Sequence, residues 1–212
     1  MQGKKYYYSV GTATTDPVRV ARIKIKRSVF TCSLAYAGSI GAAKTFITKV
    51  SKENKTATHN CWAYIVGETG EICHCSDAGE PGGTAGKPML NTLHSHGMAQ
   101  IAAVVTRQYG GVKLGIRGLI QAYSEAVTTA LELKPLVKLV RTVTLRVRLA
   151  YGLNDPFLNQ LNRFQAVIGH TDYTEEVVHE IEVEKDQLKD FEAFLSEYQH
   201  QGSLSYTVLL PG

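Results

Sequence analysis

The 212-residue chain is 44% apolar and 20% charged, a balance that supports a packed core and excludes disorder by composition. No apolar run approaches the roughly 18 residues of a membrane span. The opening MQGKKYYYSVG carries two lysines but lacks the apolar stretch of a secretory signal, so a cytoplasmic protein with no membrane partner is expected.

The net charge of +4 conceals an asymmetry. Through Pro135 there are 16 Lys and Arg against 8 Asp and Glu, a balance of +8. From Leu136 onward there are 7 against 11, a balance of −4. A shift of this kind across a proline divides the chain into domains 1–135 and 136–212, and assigns any affinity for polyanions to the first. The four cysteines, Cys32, Cys61, Cys73 and Cys75, fall on predicted strands or their ends and read as free, buried thiols in a reducing compartment.

In chain order, Tyr6–Val10 and Val18–Ala37 are rich in β-branched and aromatic residues and predict strands, with Asp16-Pro17 turning between them. Arg22, Lys24 and Lys26 alternate with Ile23 and Ile25, as in a half-buried strand with a basic outer face. Helical spacing of Ile40, Ala43, Ile47 and Val50 predicts a helix over Ser39–Ser51, with Ser39 as its N-cap. Asn60–Val66 and Glu71–Cys75 form a hairpin around Gly67-Glu68-Thr69-Gly70.

Two glycine-dense loops follow. The first, DAGEPGGTAGKP from Asp77 to Pro88, places four glycines, two prolines and two carboxylates in twelve residues. It leads into a helix over Met89–His96, with Pro88 tolerated only in a first turn. Ile101–Val105 is an apolar run read as a strand buried on both faces. The second loop, RQYGGVKLGIRG from Arg107 to Gly118, precedes a helix over Leu119–Leu133 that Pro135 ends.

Beyond Pro135 the pattern is βαββαβ: strands at Arg141–Leu149, Ala166–Tyr173, Val177–Glu184 and Leu204–Leu210, helices at Asp155–Phe164 and Asp186–Gln199. That order predicts a ferredoxin-like α+β sandwich. Arg146 and Arg148 would share its open face with Glu180, Glu182 and Glu184, suited to cross-strand ion pairs. An RNA-recognition motif needs stacking aromatics there, so this module reads as an accessory or docking domain.

The first loop suggests an anion cradle. Gly82, Gly83, Thr84, Ala85 and Gly86 offer successive backbone N–H groups near a helix N-terminus, and Lys87 adds a positive charge. Pro88 stands where a phosphate-binding P-loop needs Ser or Thr, which excludes that class. Asp77 and Glu80 oppose an anion unless they pair with Arg107, Lys113 or Arg117, or serve as metal ligands or general bases. His59, Cys61, Cys73 and Cys75 lack the CxxC spacing of a zinc site, and no GxSxG elbow is present. Neither a metal nor another cofactor is expected.

SDAGEPGGTAGKPML, IAAVVTRQYGGVKLGIRGLIQAY and the earlier ATHNCWAY closely resemble the IMPACT/YigZ family. The resemblance is most specific over Ser76–Tyr123 and weaker beyond Pro135. It implies an N-terminal IMPACT domain with the β/α fold of a small-subunit ribosomal-protein domain, and a C-terminal module like the last domain of elongation factor G. It further implies a short bacterial-type member of a family whose members bind nucleic acid or ribosome-associated partners, the eukaryotic ones modulating translational control. Ala78 departs from a usual acidic residue, Gln108 from a frequent aromatic and Arg117 from a common glycine. The first departure weakens a two-carboxylate site; the last makes the second loop more basic.

The function expected is therefore non-enzymatic binding of RNA or a ribosome-associated protein. The surface expected comprises Gly82, Gly83, Thr84, Gly86, Lys87, Arg107, Tyr109, Gly110, Gly111, Lys113 and Arg117, with Tyr109 a stacking platform. The alternatives are a hydrolase using Asp77, Glu80 and His59 on a small anionic or peptide substrate, or a protein-docking regulatory module.

Overall fold

The structure is a computed structural model and describes residues 7–209. Tyr6 and Leu210, expected at strand ends, lie outside the described residues. The chain is α+β and divides into two compact units, Met1–Leu139 and Val140–Gly212.

In the first unit β1 (Tyr7–Ser9) is followed by β2 (Arg19–Ile25), β3 (Ser28–Tyr36), α1 (Ile40–Glu53), β4 (His59–Val66) and β5 (Ile72–Ser76). Then come α2 (Gly86–Ser95), β6 (Ile101–Gln108), α3 (Gly115–Glu132) and β7 (Val137–Leu139). Strands two to six form one antiparallel sheet in the order β2-β3-β6-β4-β5. β7 lies beyond Pro135 but pairs with β1, which carries the first unit past that proline.

The apolar run of β6 fills the middle of this sheet, and its two faces feed two cores. Ile101, Ala103 and Val105 join Phe30, Cys32, Leu34, Cys61, Ala63 and Ile65 beneath Met89 and Leu93 of α2 and Leu119, Tyr123 and Ala126 of α3. Ala102 and Val104 join Tyr64 and Val66 beneath Ala43, Ile47 and Val50 of α1. The sheet is thus held between α1 on one face and α2 with α3 on the other. Ser39 caps α1 as expected, accepting from the Ala42 N–H at 3.2 Å.

Four local differences matter for the site. Val18–Ala37 is a hairpin rather than an uninterrupted stretch of strand: Ile25 pairs with Ser28 across Lys26 and Arg27, and Lys26 takes a φ of 53°. β6 runs on to Gln108, so Arg107 belongs to a strand. α2 begins at Gly86, which places Lys87 and Pro88 in its first turn. α3 begins at Gly115, so Arg117 is helical. Glycines at both helix starts read locally as loop, whereas tertiary packing lets the helices begin on them.

The second unit runs β8 (Thr142–Leu149), α4 (Asn154–Leu161), β9 (Val167–Tyr173), β10 (Val177–Glu184), α5 (Leu188–His200) and β11 (Leu204–Leu209). Its antiparallel sheet has the order β11-β8-β10-β9, the βαββαβ arrangement. Leu145, Val147, Ile181 and Val183 pack with Phe157, Phe191 and Leu195 in its core. Arg146 and Glu180 stand opposite one another and form an ion pair at 2.6 Å, as the alternation predicted.

Candidate functional site

The first glycine loop is folded onto its own carboxylate. Asp77 Oδ1 accepts from the N–H groups of Ala85 at 2.9 Å and Gly86 at 2.8 Å, and Oδ2 accepts from Gly83 at 2.8 Å. Ala85, the residue at the N-cap of α2, supplies no capping side chain. Asp77 fills that role from a distance, with its negative charge at the positive end of the helix. Burial raises the Asp77 carboxyl, but the three N–H donors together outweigh it and hold it below the ordinary range. Two successive turns complete the loop, Glu80 N–H to Asp77 O at 3.0 Å and Thr84 N–H to Pro81 O at 3.1 Å. Gly86 is required by close approach: a Cβ there would meet the Ser76 backbone at 2.8 Å.

These bonds correct the expected anion cradle. The N–H groups of Gly83 and Gly86 are taken by Asp77. Thr84 is buried with its hydroxyl on the Pro81 carbonyl at 2.7 Å. Gly82 and Lys87 remain exposed.

From the same loop Glu80 turns inward, its side chain 3% exposed. Its Oε1 accepts from Arg107 Nη1 at 2.6 Å and from the Tyr123 hydroxyl at 2.9 Å. His59 and Arg107 are register partners on β4 and β6, and the alternation that buries Ile101, Ala103 and Val105 carries Arg107 to the same face. His59 Nδ1 lies 3.0 Å from the Ala78 carbonyl, which can only accept, so Nδ1 carries the proton and Nε2 points toward Glu80 Oε1 at 4.0 Å. Arg107 also donates from Nη2 to Ser28 Oγ at 3.3 Å, while its buried Nε has no partner among the described residues. Burial, and then the neighbouring Cys61 and Glu80, push the Tyr123 hydroxyl far above its ordinary range. Tyr123 therefore stays a donor. The Cys61 thiol, 3.3 Å from that hydroxyl and 2.9 Å from the Asp77 carbonyl, is pushed up to about 12, chiefly by burial.

Arg107 was expected to contact phosphate, and this is the second correction. It is 5% exposed and holds Glu80, so the ion pair ties the first loop to the sheet. A buried pair of this kind is costly to break from one side, because the remaining charge is stranded.

The second loop is built the opposite way. Gly110 packs directly on the backbone of the β2–β3 turn, where a Cβ would be driven into the Arg27 carbonyl. Lys26 Nζ reaches the Lys113 carbonyl at 3.4 Å across the same junction. The unannounced hairpin thus brings Lys26 and Arg27 to Lys113, with Arg117 in the first turn of α3. All four are exposed, and none is paired with a carboxylate among the described residues. Tyr109 is 44% exposed, and the Arg107 guanidinium sits 5.4 Å from its ring centroid. α3 starts without a capping side chain and without an acid in its first turn.

Between the two loops lies a cleft of about 480 Å³, lined by His59, Glu80, Arg107, Tyr109, Lys113 and Ile116 among others. Its walls combine a partly exposed aromatic, an isoleucine 65% exposed and a lysine, over the paired Glu80 and Arg107.

Sequence reasoning did not find Tyr123, Cys61, Ser28, Lys26 or Arg27 as parts of this region, and it gave Ile116 of the second loop no role. The period-two pattern of β6, carried two residues further, was the available signal for the inward turn of Arg107. Cys73 is exposed rather than buried, because β5 is an edge strand. The β4–β5 register sets Cys75 against Ala63 and Cys73 against Ile65, which leaves His59 and Cys61 out of line with the pair. No group of three or more His, Cys, Asp or Glu among the described residues could hold a metal ion. No helix among them is long and apolar enough to cross a membrane.

Residues 26–131 match the family model of the Impact N-terminal domain. The chain is 35% identical over 190 residues to IMPACT family member YvyE of Bacillus subtilis, covering 87% of this chain and 88% of that one. It is 34% identical over 197 residues to IMPACT family member YigZ of Escherichia coli, covering 89% and 92%. A crystal structure of a hypothetical protein, 29% identical, superposes with a TM-score of 0.62 over 99% of this chain and 100% of its own.

Proposed function

This chain belongs to the IMPACT family, and from that premise we propose a non-enzymatic, translation-associated protein that binds RNA through the second glycine loop of its N-terminal domain. The observation that supports this is the group of exposed cations Lys26, Arg27, Lys113 and Arg117 beside the exposed ring of Tyr109. Unpaired cations supply the electrostatic part of nucleic-acid affinity, and an accessible aromatic supplies stacking that tolerates any base. The nearby carboxylate, Glu80, is buried and already neutralised by Arg107, so it does not oppose a phosphate. The surface anticipated from both loops narrows to the second, with Tyr109, Gly110, Gly111, Lys113 and Arg117 retained and Lys26 and Arg27 added.

Hydrolysis at Asp77 and Glu80 draws no support from the geometry: Asp77 caps α2, and Glu80 is held by Arg107 and Tyr123. We read the first domain as the ribosomal-protein-like β/α fold and the second as a ferredoxin-like module akin to the last domain of elongation factor G. The strand order of the second unit supports that assignment. Fluorescence anisotropy with labelled RNA tests the proposal. Affinity that rises steeply as salt is lowered is expected; no binding at low salt refutes it. Retention from cell extract that survives nuclease treatment would point to a protein partner instead.

A further inference from the structure

The cleft beside the second loop has more structure than a generic basic surface needs. A duplex could be held by exposed cations alone. Here the cations border a concave site of about 480 Å³, within the range that encloses a small ligand. Tyr109 offers a ring fixed from one side by the Arg107 guanidinium, and Ile116 offers an apolar side chain 65% exposed at the first turn of α3.

The polar groups are arranged to suit one nucleotide. Lys113 and the uncapped start of α3 at Gly115 both line the cleft and favour a phosphate. His59 spends Nδ1 on the Ala78 carbonyl and lines the cleft with the rest of its ring, a polar neighbour for a ribose hydroxyl. Arg107, which also lines the cleft, is 5% exposed and keeps its Nε without a partner.

We propose that this cleft receives one unpaired nucleotide of an RNA strand, its base against Tyr109 and Ile116 and its phosphate at Lys113 and the start of α3. This rests on the RNA-binding reading above and adds a selection for single strands over duplex. Stacking on an aromatic requires an unstacked base, which a duplex does not present.

The full-length protein would be titrated with a labelled single-stranded oligoribonucleotide and with a duplex of the same length and salt. AMP and UMP would be followed separately by NMR shifts of the Tyr109, Ile116 and His59 signals. Preference for the single strand by about tenfold is expected, the magnitude of one base stack. Tyr109→Ala should lose about that factor for the single strand and leave the duplex within about twofold, while Tyr109→Phe retains affinity. Ile116→Ala, at an exposed site that the fold does not need, should weaken the single strand alone. AMP or UMP should shift the cleft signals saturably. Equal affinity for the two RNAs, with Tyr109→Ala and Ile116→Ala changing both alike, would overturn the nucleotide site and leave RNA binding standing. Saturable shifts with AMP but no affinity for any RNA would overturn the strand assignment together with the reading it rests on.

Discussion

Each glycine loop of the first unit leads into a helix, and the two helix starts are treated in opposite ways. At α2, Asp77 reaches back from the head of the loop and takes the N–H groups of Gly83, Ala85 and Gly86. At α3, no side chain caps the start, no acid sits in the first turn, and the neighbours are cations. The first loop is closed by its own charge, while the second is open. Similar glycine content therefore accompanies two different arrangements, one loop bonded to its own carboxylate and one whose helix start has no capping side chain. What separates them is where the nearest carboxylate points.

The largest expected effect breaks the closed loop at its anchor. Glu80→Gln should cost about 3–4 kcal/mol in urea denaturation, because it strands the buried Arg107 guanidinium. A cost below about 1 kcal/mol would mean that the pair does not hold the loop.

Gly110→Ala follows, at about 3 kcal/mol, because the added methyl collides with the Arg27 carbonyl. Gly82→Ala is its counterpart in the first loop. Nothing lies within 4 Å of a Cβ built there, and stability should stay within about 0.5 kcal/mol. If the two substitutions cost the same, the second loop is not pinned to the β2–β3 turn.

Asp77→Asn should cost about 2 kcal/mol near neutral pH by removing charge-assisted bonds at a helix N-terminus. It also carries a pH signature. The Asp77 carboxyl is held below its ordinary value, so its contribution is complete above about pH 4 and is lost as pH falls through the lower folded value. Denaturation followed from pH 7 into acid should show the gap between native protein and Asp77→Asn closing only on the acid side. A gap independent of pH would remove the carboxylate from this role.

Much of the fold was legible because it depends on local pattern. The apolar run of β6, the Ser39 cap and the alternation behind the Arg146–Glu180 pair each follow from neighbouring residues. The β2–β3 turn was not legible, since Lys26 adopts φ 53° in a stretch with no Gly, Asn or Asp to announce it. The site suffered from the same limit. Glu80, Arg107 and Tyr123 come from a loop, a strand and a helix that only tertiary packing unites. Glycine density located the region, but it could not reveal that Asp77 had already filled the first loop.

The difference between the loops comes down to one comparison of RNA affinity across a salt series, using Lys113→Ala/Arg117→Ala in the second loop and Lys87→Ala at the end of the first. If the open loop binds the strand, the double variant loses at least about tenfold and its salt slope falls by about 1.4, the contribution of two single-strand phosphate contacts, while Lys87→Ala stays within about twofold. An equal loss with Lys87→Ala, or a salt slope unchanged in the double variant, would place the contact elsewhere and contradict it.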